Sequence, residues 1–63
     1  MKLKNMITFQ LNEGGSISVD VFDIIAFKDY IVYVDLRHET KSFIVNLGQE
    51  DIEHKITDFM NNM

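Results

Sequence analysis

The two histidines, His38 and His54, are the side chains best suited to bind a metal ion or to move a proton near neutral pH. A metal site needs two or three converging ligands, and the set to consider is His38, the adjacent Glu39 and His54. Nothing in their spacing brings these three residues together. Glu50 precedes His54 by four residues, so on a helix the two would form an ordinary surface pair. The sequence therefore predicts neither a metal site nor a cofactor.

Residues for nucleophilic catalysis are equally sparse. The chain has no cysteine, and Ser16, Ser18 and Ser42 stand in no strand–turn–helix nucleophile motif. The pair Gly14–Gly15 is a turn signal, because no helix start with a Lys-Ser or Lys-Thr pair follows it as in a phosphate-binding loop. A chain of 63 residues also has little room for a concave catalytic pocket. We expect a protein that is not an enzyme.

The first element that the sequence predicts is a β-hairpin. Hydrophobic and polar residues alternate from Lys2 to Leu11, and the stretch from Asn12 to Ser16 is rich in turn-forming residues. A three-residue loop from Glu13 to Gly15 would place a glycine where the left-handed conformation is required. Apolar residues of the two strands then face each other, which predicts the pairs Leu11–Ile17, Phe9–Val19 and Ile7–Val21.

The middle of the chain indicates a corner followed by a short third strand. The stretch from Val21 to Asp23 interrupts the alternation and predicts a turn or a bulge. The next four residues, Ile24 to Phe27, are all apolar, which is typical of a strand covered on both faces. Lys28 and Asp29 would form the following turn. The predicted pairs are Phe27–Tyr30 and, on the core face, Ile25–Val32.

The stretch from Asp29 to Leu47 predicts a second hairpin, closed by a turn from His38 to Lys41. Its strands alternate, so that one face of each is apolar and can point into the core. The predicted core-facing pairs are Leu36–Phe43, Val34–Val45 and Val32–Leu47.

The last segment changes to a helical period. Apolar residues recur at helical spacing from Ile52 to Met63, and acidic residues crowd the first turn, where the helix dipole favours negative charge. We expect Met60 and Met63 to fill gaps in the core beneath this helix.

The predicted fold class is α+β: a single domain over residues 1–63, with a small twisted antiparallel β-sheet of four or five strands and one C-terminal amphipathic α-helix. The predicted strands cover about 2–11, 16–22, 24–28, 30–37 and 42–47, and the helix covers about 49–61.

These predicted strands leave a second apolar face on the sheet. One helix of about 14 residues spans roughly 21 Å, enough to cover one face and not two. Sheet twist could scatter the apolar residues of the other face, the first hairpin could fold over them, or a partner could cover them. A contiguous apolar group with a polar rim is typical of an interaction surface, and two-fold pairing of identical chains is its commonest form. The predicted interface residues are Ile24, Ala26, Ile31, Tyr33, Asp35, Arg37 and Ile44.

Charge leaves a second class of function open. Ten acidic and six basic residues give a net charge of −4, and the basic residues are spread along the chain, which disfavours direct binding to nucleic acid. Acids from Asp20 to Asp35 could instead occupy a basic cleft. The alternative function is therefore a nucleic-acid-related regulator, as an acidic mimic or a weak DNA-binding module. No apolar run exceeds five residues, and the N-terminal segment is not expected to act as a signal peptide, so the sequence predicts a cytoplasmic protein without membrane contact.

Four stretches of the sequence follow a recognisable order: MITFQLNEGGSISV, DIIAF, ETKSFIVN and EDIEHKITDFM. Together they resemble the general pattern of the FlbD family of small flagellar-associated proteins. That pattern runs from a hairpin with a turn glycine, through an Ile-rich strand and a Lys-Phe-Val strand, to a C-terminal amphipathic helix. The sequence departs from it in having no Pro-Asp-Thr stretch between Phe27 and Ile31 and no Asn-Gly in the second turn. Asp23 to Phe59 is also similar to the front half of LytTR-type DNA-binding domains, without the basic closing segment that such domains use on DNA. The resemblance implies the fold and a role as a small bacterial accessory protein, and the composition also suits a phage product.

Taken together, these features predict a small non-enzymatic interaction or regulatory protein. We expect a homodimer or larger oligomer that binds or inhibits one other protein.

Overall fold

The computed structural model describes residues 5–63, and their elements form the predicted α+β fold. Five strands lie in two antiparallel sheets, β1 with β2 and then β3, β4 and β5 in that order, where a single sheet was expected. The predicted residues 2–4 of the first strand lie outside the described part of the chain. The elements are β1 Met6–Gln10, β2 Ser16–Asp20, a 3₁₀ turn Val21–Asp23, β3 Ile24–Lys28, β4 Ile31–Leu36, β5 Glu39–Ile44 and α1 Gln49–Asn61.

The first hairpin forms as expected, but its register is wrong by two residues. Phe9 pairs with Ile17 and Ile7 with Val19. The Leu11 amide donates to the Gly15 carbonyl at 3.0 Å, so the loop is 12–14 and not 13–15. Moving a loop by one position shifts the register by two, and a shift of two leaves every side chain on its face. Gly14 in the loop and Gly15 directly after it both have positive φ, the conformation for which the turn prediction required a glycine. None of the three predicted pairs, Leu11–Ile17, Phe9–Val19 and Ile7–Val21, forms.

The predicted corner after β2 is confirmed, and it takes the form of the 3₁₀ turn. Asp20 begins the turn, and its side-chain Oδ1 accepts a hydrogen bond from the Phe22 amide at 2.9 Å. Val21, the first residue of the turn, is buried. The turn therefore redirects the chain from β2 to β3 while it adds one side chain to the core.

Strand β3 pairs with β4 two residues away from the predicted register. Phe27 lies opposite Val32, so neither the pair Phe27–Tyr30 nor the pair Ile25–Val32 forms, and the turn consists of Asp29 and Tyr30 where Lys28 and Asp29 were expected. A bulge between Ile24 and Ala26 leaves Ile25 unpaired. Because Ile25 is 57% exposed and Ala26 is exposed, the prediction that this strand is covered on both faces is wrong.

The hairpin of β4 and β5 is displaced by four residues from its predicted register. Its turn is Arg37–His38, and the predicted turn residues Glu39 to Lys41 belong to β5. An even displacement keeps the faces, so Val32, Val34, Leu36 and Phe43 point inward as predicted, although Lys41 and Glu39 now lie opposite Val34 and Leu36. The observed pairs are Val32–Phe43, Val34–Lys41 and Leu36–Glu39, in place of the predicted Val32–Leu47, Val34–Val45 and Leu36–Phe43.

The two sheets meet where the chain leaves β5. Leu11, just past β1, forms a β-bridge with Val45. The Asn12 amide donates to the Ile44 carbonyl at 3.0 Å, and the Asn46 amide donates to the Gln10 carbonyl at 3.1 Å. These bonds place the inner face of the first hairpin against the inner face of the three-stranded sheet, where the two faces share one core.

Helix α1 has the predicted bounds and closes this core. Ile52 is fully buried, and Ile56 and Phe59 pack against the buried cluster. Met60 and Met63 are 46% and 57% exposed, so the expectation that both fill the core is wrong. The core consists of Ile7, Phe9, Val19, Val21, Val32, Val34, Val45 and Ile52. Within residues 5–63, no helix is both long enough and apolar enough to cross a membrane.

Candidate protein-binding surface

The outer face of the three-stranded sheet is the side that points away from the core. Val32 and Val34 are buried, and because side chains alternate along a strand, Ile31, Tyr33 and Asp35 point outward. Strand pairing orders the outward side chains into three rows across the sheet. The first row is Lys28, Ile31 and Ile44, the second is Ala26, Tyr33 and Ser42, and the third is Asp35 and Thr40.

The first two rows of this outer face are largely apolar. Ile31 lies directly opposite Ile44, and Ile44 is 56% exposed. Tyr33 stands between Ala26 and Ser42 and is half-buried by its neighbours. The Lys28 Nζ lies 6.0 Å from the centroid of the Tyr33 ring, within the range of a cation–π contact. The sheet therefore presents an apolar group with a lysine at one end and an aspartate at the other.

The outer face of the first hairpin is different, and it serves as an internal comparison. Apart from Met6, its outward residues are polar: Thr8, Gln10, Ser16, Ser18 and Asp20. The Thr8 and Ser18 hydroxyls share a hydrogen bond of 2.7 Å across the strands. A sheet face turned toward water normally carries such residues. The apolar outer face of β3–β5 is thus a property of that sheet and not of the whole surface.

Of the seven residues predicted to form an interface, five lie on the outer face: Ala26, Ile31, Tyr33, Asp35 and Ile44. Ile24 does not. The bulge after it turns it inward, so that it pairs with Val34 and packs against the core. Arg37 occupies the turn after β4, with a positive φ of 54°.

A second exposed apolar group lies at the edge of the sheet beside α1, and sequence reasoning missed it. Phe22 is 61% exposed, and with Ile25 and Met60 it borders a groove of about 310 Å³ between β3 and the helix. We call this the edge groove. The residues that line it all have apolar side chains: Val21, Phe22, Ile24, Ile25, Ala26, Phe27, Ile56 and Met60. The wholly apolar run from Ile24 to Phe27 was the available signal, but such a run equally predicts a strand covered on both faces.

The polar residues considered for chemistry do not come together. His38 lies in the turn between β4 and β5, whereas His54 lies on α1. Over residues 5–63, no three His, Cys, Asp or Glu side chains are grouped so that they could hold a metal ion.

Two of the mid-chain acids have structural roles. Asp20 caps the 3₁₀ turn, and the Asp29 Oδ1 accepts a hydrogen bond from the Gln49 amide at 2.6 Å, which ties the β3–β4 turn to the start of α1. The basic side chains Lys28, Lys41 and Lys55 lie on three different elements.

Comparison with known proteins adds no relative: no protein-family model, no curated protein and no solved structure matches this chain. The resemblance to the FlbD family therefore stays a prediction.

Proposed function

We propose that this protein acts as a non-enzymatic interaction module whose first partner is a second copy of itself, docked on the outer face of β3–β5. The observation that carries the proposal is the contrast between the two outer faces. One is polar apart from Met6, and the other places Ile31, Ile44, Tyr33 and Ala26 side by side. The predicted cytoplasmic location and the binding or inhibition of one other protein belong to the same proposal.

The position of the first hairpin supports this interpretation. The sequence left open whether that hairpin covers the second apolar face. In the structure its apolar residues Ile7, Phe9 and Val19 share the core with Val32 and Val34, which is the opposite side of the sheet. The helix also packs on the core through Ile52. Among the described residues, the outer face is therefore left for a partner to cover.

Removing this surface from water provides the driving force for association. Fully burying an isoleucine or a comparable side chain contributes about 1.5–3 kcal/mol, and Ile44 retains 56% of its surface to be buried. Sheets that pack face to face do so through such side chains, at a spacing of about 10 Å. Several partly exposed residues of this kind, acting together, can stabilise a dimer against the entropy lost on association.

Charge placed within the outer face tests the proposal. We expect Tyr33→Lys and Ile44→Lys each to raise the dimer dissociation constant about a hundredfold, because an interface would have to bury an unpaired ammonium group. Mass should be measured by sedimentation equilibrium from micromolar to millimolar concentration. Thr8→Lys, on the polar outer face of the first hairpin, is the matched control and should associate like the unaltered protein.

A strictly monomeric unaltered protein at high micromolar concentration would contradict self-association. If the protein is dimeric and both lysine variants remain dimeric, the outer face is not the interface. Ile25→Lys would then test the edge groove by the same measurement. The alternative of a nucleic-acid regulator has no comparable observation in its favour among residues 5–63, where Lys28, Lys41 and Lys55 lie on three different elements.

A further inference from the structure

The outer face carries opposite charges at its two ends along β4. Lys28 is in the first row, beside Ile31, and Asp35 is in the third row. Four residues separate Ile31 from Asp35 along the strand, a distance of about 13 Å at the usual rise. Ile31 and Ile44 lie in the same row as Lys28, and Tyr33 lies in the row between Lys28 and Asp35. A face with one cation and one anion at opposite ends has a direction, so two copies cannot meet in every orientation with equal energy.

Two symmetric arrangements lay β4 of one copy over β4 of the other. If the strands run parallel, each row meets the same row of the partner, and Asp35 lies over the partner's Asp35. Like charges in direct opposition are unfavourable. If the strands run antiparallel, the first row meets the partner's third row, and Tyr33 lies near the two-fold axis. Lys28 then lies one strand spacing, about 4.8 Å, to the side of the partner's Asp35 and about 10 Å across from it, a distance that a long lysine side chain and the carboxylate together can span.

We propose that the dimer is the antiparallel one and that Lys28 and Asp35 determine its orientation through two reciprocal contacts between the copies. This inference rests on the proposed function, because it requires self-association on the outer face. It adds which end of one copy meets which end of the other. It also assigns Asp35 the part of a specificity residue that excludes the parallel arrangement.

Thiol crosslinking tests the orientation directly, because the chain contains no cysteine and single-cysteine variants therefore have no competing thiol. Lys28→Cys and Asp35→Cys proteins are mixed in equal amounts and treated with a short bismaleimide, because sheets about 10 Å apart hold the two thiols too far apart for a disulfide. The crosslinked species are then identified by mass spectrometry. We expect the mixed crosslink between position 28 and position 35 to exceed either homodimeric crosslink at least threefold. Ser18→Cys, on the polar outer face, gives the background for random collision.

Charge exchange provides an independent measurement. Lys28→Asp alone and Asp35→Lys alone should each weaken dimerisation about threefold to tenfold, as reversed pairs at the rim of an interface do. The double variant carries the same charges in exchanged positions and should recover most of the affinity.

The outcomes separate the orientation from the dimer itself. A dominant homodimeric crosslink of Asp35→Cys would show a parallel dimer and overturn the orientation while the proposed function stands. Failure of the double variant to recover affinity would remove the role of the two charges. If the cysteines at positions 28 and 35 crosslink no more than the Ser18→Cys background, the orientation is wrong. If the unaltered protein is monomeric in sedimentation, both the orientation and the proposed function are wrong.

Discussion

A single carboxylate links the sheet to the helix. Asp29 belongs to the β3–β4 turn, yet its Oδ1 accepts the hydrogen bond of the Gln49 amide, twenty residues away. The residue at the usual capping position is Gly48, which has no side chain to do this, so the bond is supplied from another element. The negative charge of Asp29 also lies at the positive end of the helix dipole.

We expect Asp29→Ala to lower the free energy of unfolding by about 1 kcal/mol, because the first amides of α1 lose an acceptor. Asp29→Asn keeps an oxygen at the same place and should retain most of the stability. Urea unfolding at one fixed protein concentration measures both. Equal stability of the alanine and asparagine variants would show that the bond contributes nothing.

At the scale of elements, hydrophobic alternation predicted which face each strand turns to the core, but it did not predict the registers. The three hairpins are displaced by two, two and four residues from the predicted pairing. An even displacement leaves the alternation satisfied, so the pattern alone cannot tell these registers apart. The turns decide between them, and two of the turns use residues that ordinary turn preferences do not mark: Tyr30 and Arg37 adopt positive φ without being glycine or asparagine.

The bulge in β3 removes Ile24 from the predicted interface. One unpaired residue, Ile25, reverses the alternation on one side of itself. Ile24 consequently turns into the core, while Ile25 joins Phe22 and Met60 around the edge groove. In a run where every residue is apolar, alternation carries no information about which side is buried. This is why the sequence could predict the strand but not its exposed members.

The left-handed residue in the β3–β4 turn predicts a stabilising substitution. Tyr30 has φ of 68°, and both its amide and its carbonyl are bound to the chain after β5, at 2.9 Å each. Left-handed backbone costs an ordinary residue about 1–2 kcal/mol, and asparagine tolerates it better. Because the Tyr30 side chain is 56% exposed, Tyr30→Asn loses little packing. We expect it to raise the free energy of unfolding by about 0.5–1 kcal/mol, and Tyr30→Val to lower it, since β-branched residues tolerate positive φ poorly. Urea unfolding that ranks the valine variant above the asparagine variant would contradict this explanation.

At the scale of the whole molecule, the packing of the first hairpin decides which face of the second sheet is free. The bridge between Leu11 and Val45 brings the two inner faces together. The sequence could not predict this, because the first hairpin is amphipathic and could bury its apolar side against either apolar face of the second sheet. The contact that selects one side depends on backbone hydrogen bonds between segments more than thirty residues apart, such as that from the Asn12 amide to the Ile44 carbonyl.

The same arrangement predicts that the stability of the folded chain depends on its concentration. If the outer face is buried only in the dimer, unfolding is coupled to dissociation, and the folded form gains stability as chain concentration rises. Above the dissociation constant, each tenfold increase should raise the apparent stability of the dimer by about 1.4 kcal/mol, seen as a higher urea midpoint. Tyr33→Lys should have a midpoint independent of concentration, whereas Thr8→Lys should behave like the unaltered protein. At low concentration the unaltered and Tyr33→Lys proteins should differ only by the packing that the half-buried Tyr33 ring contributes within one copy. If the urea midpoint of the unaltered protein does not move between micromolar and millimolar chain concentration, its stability comes entirely from the core around Ile52 and Val34, with no contribution from a second copy.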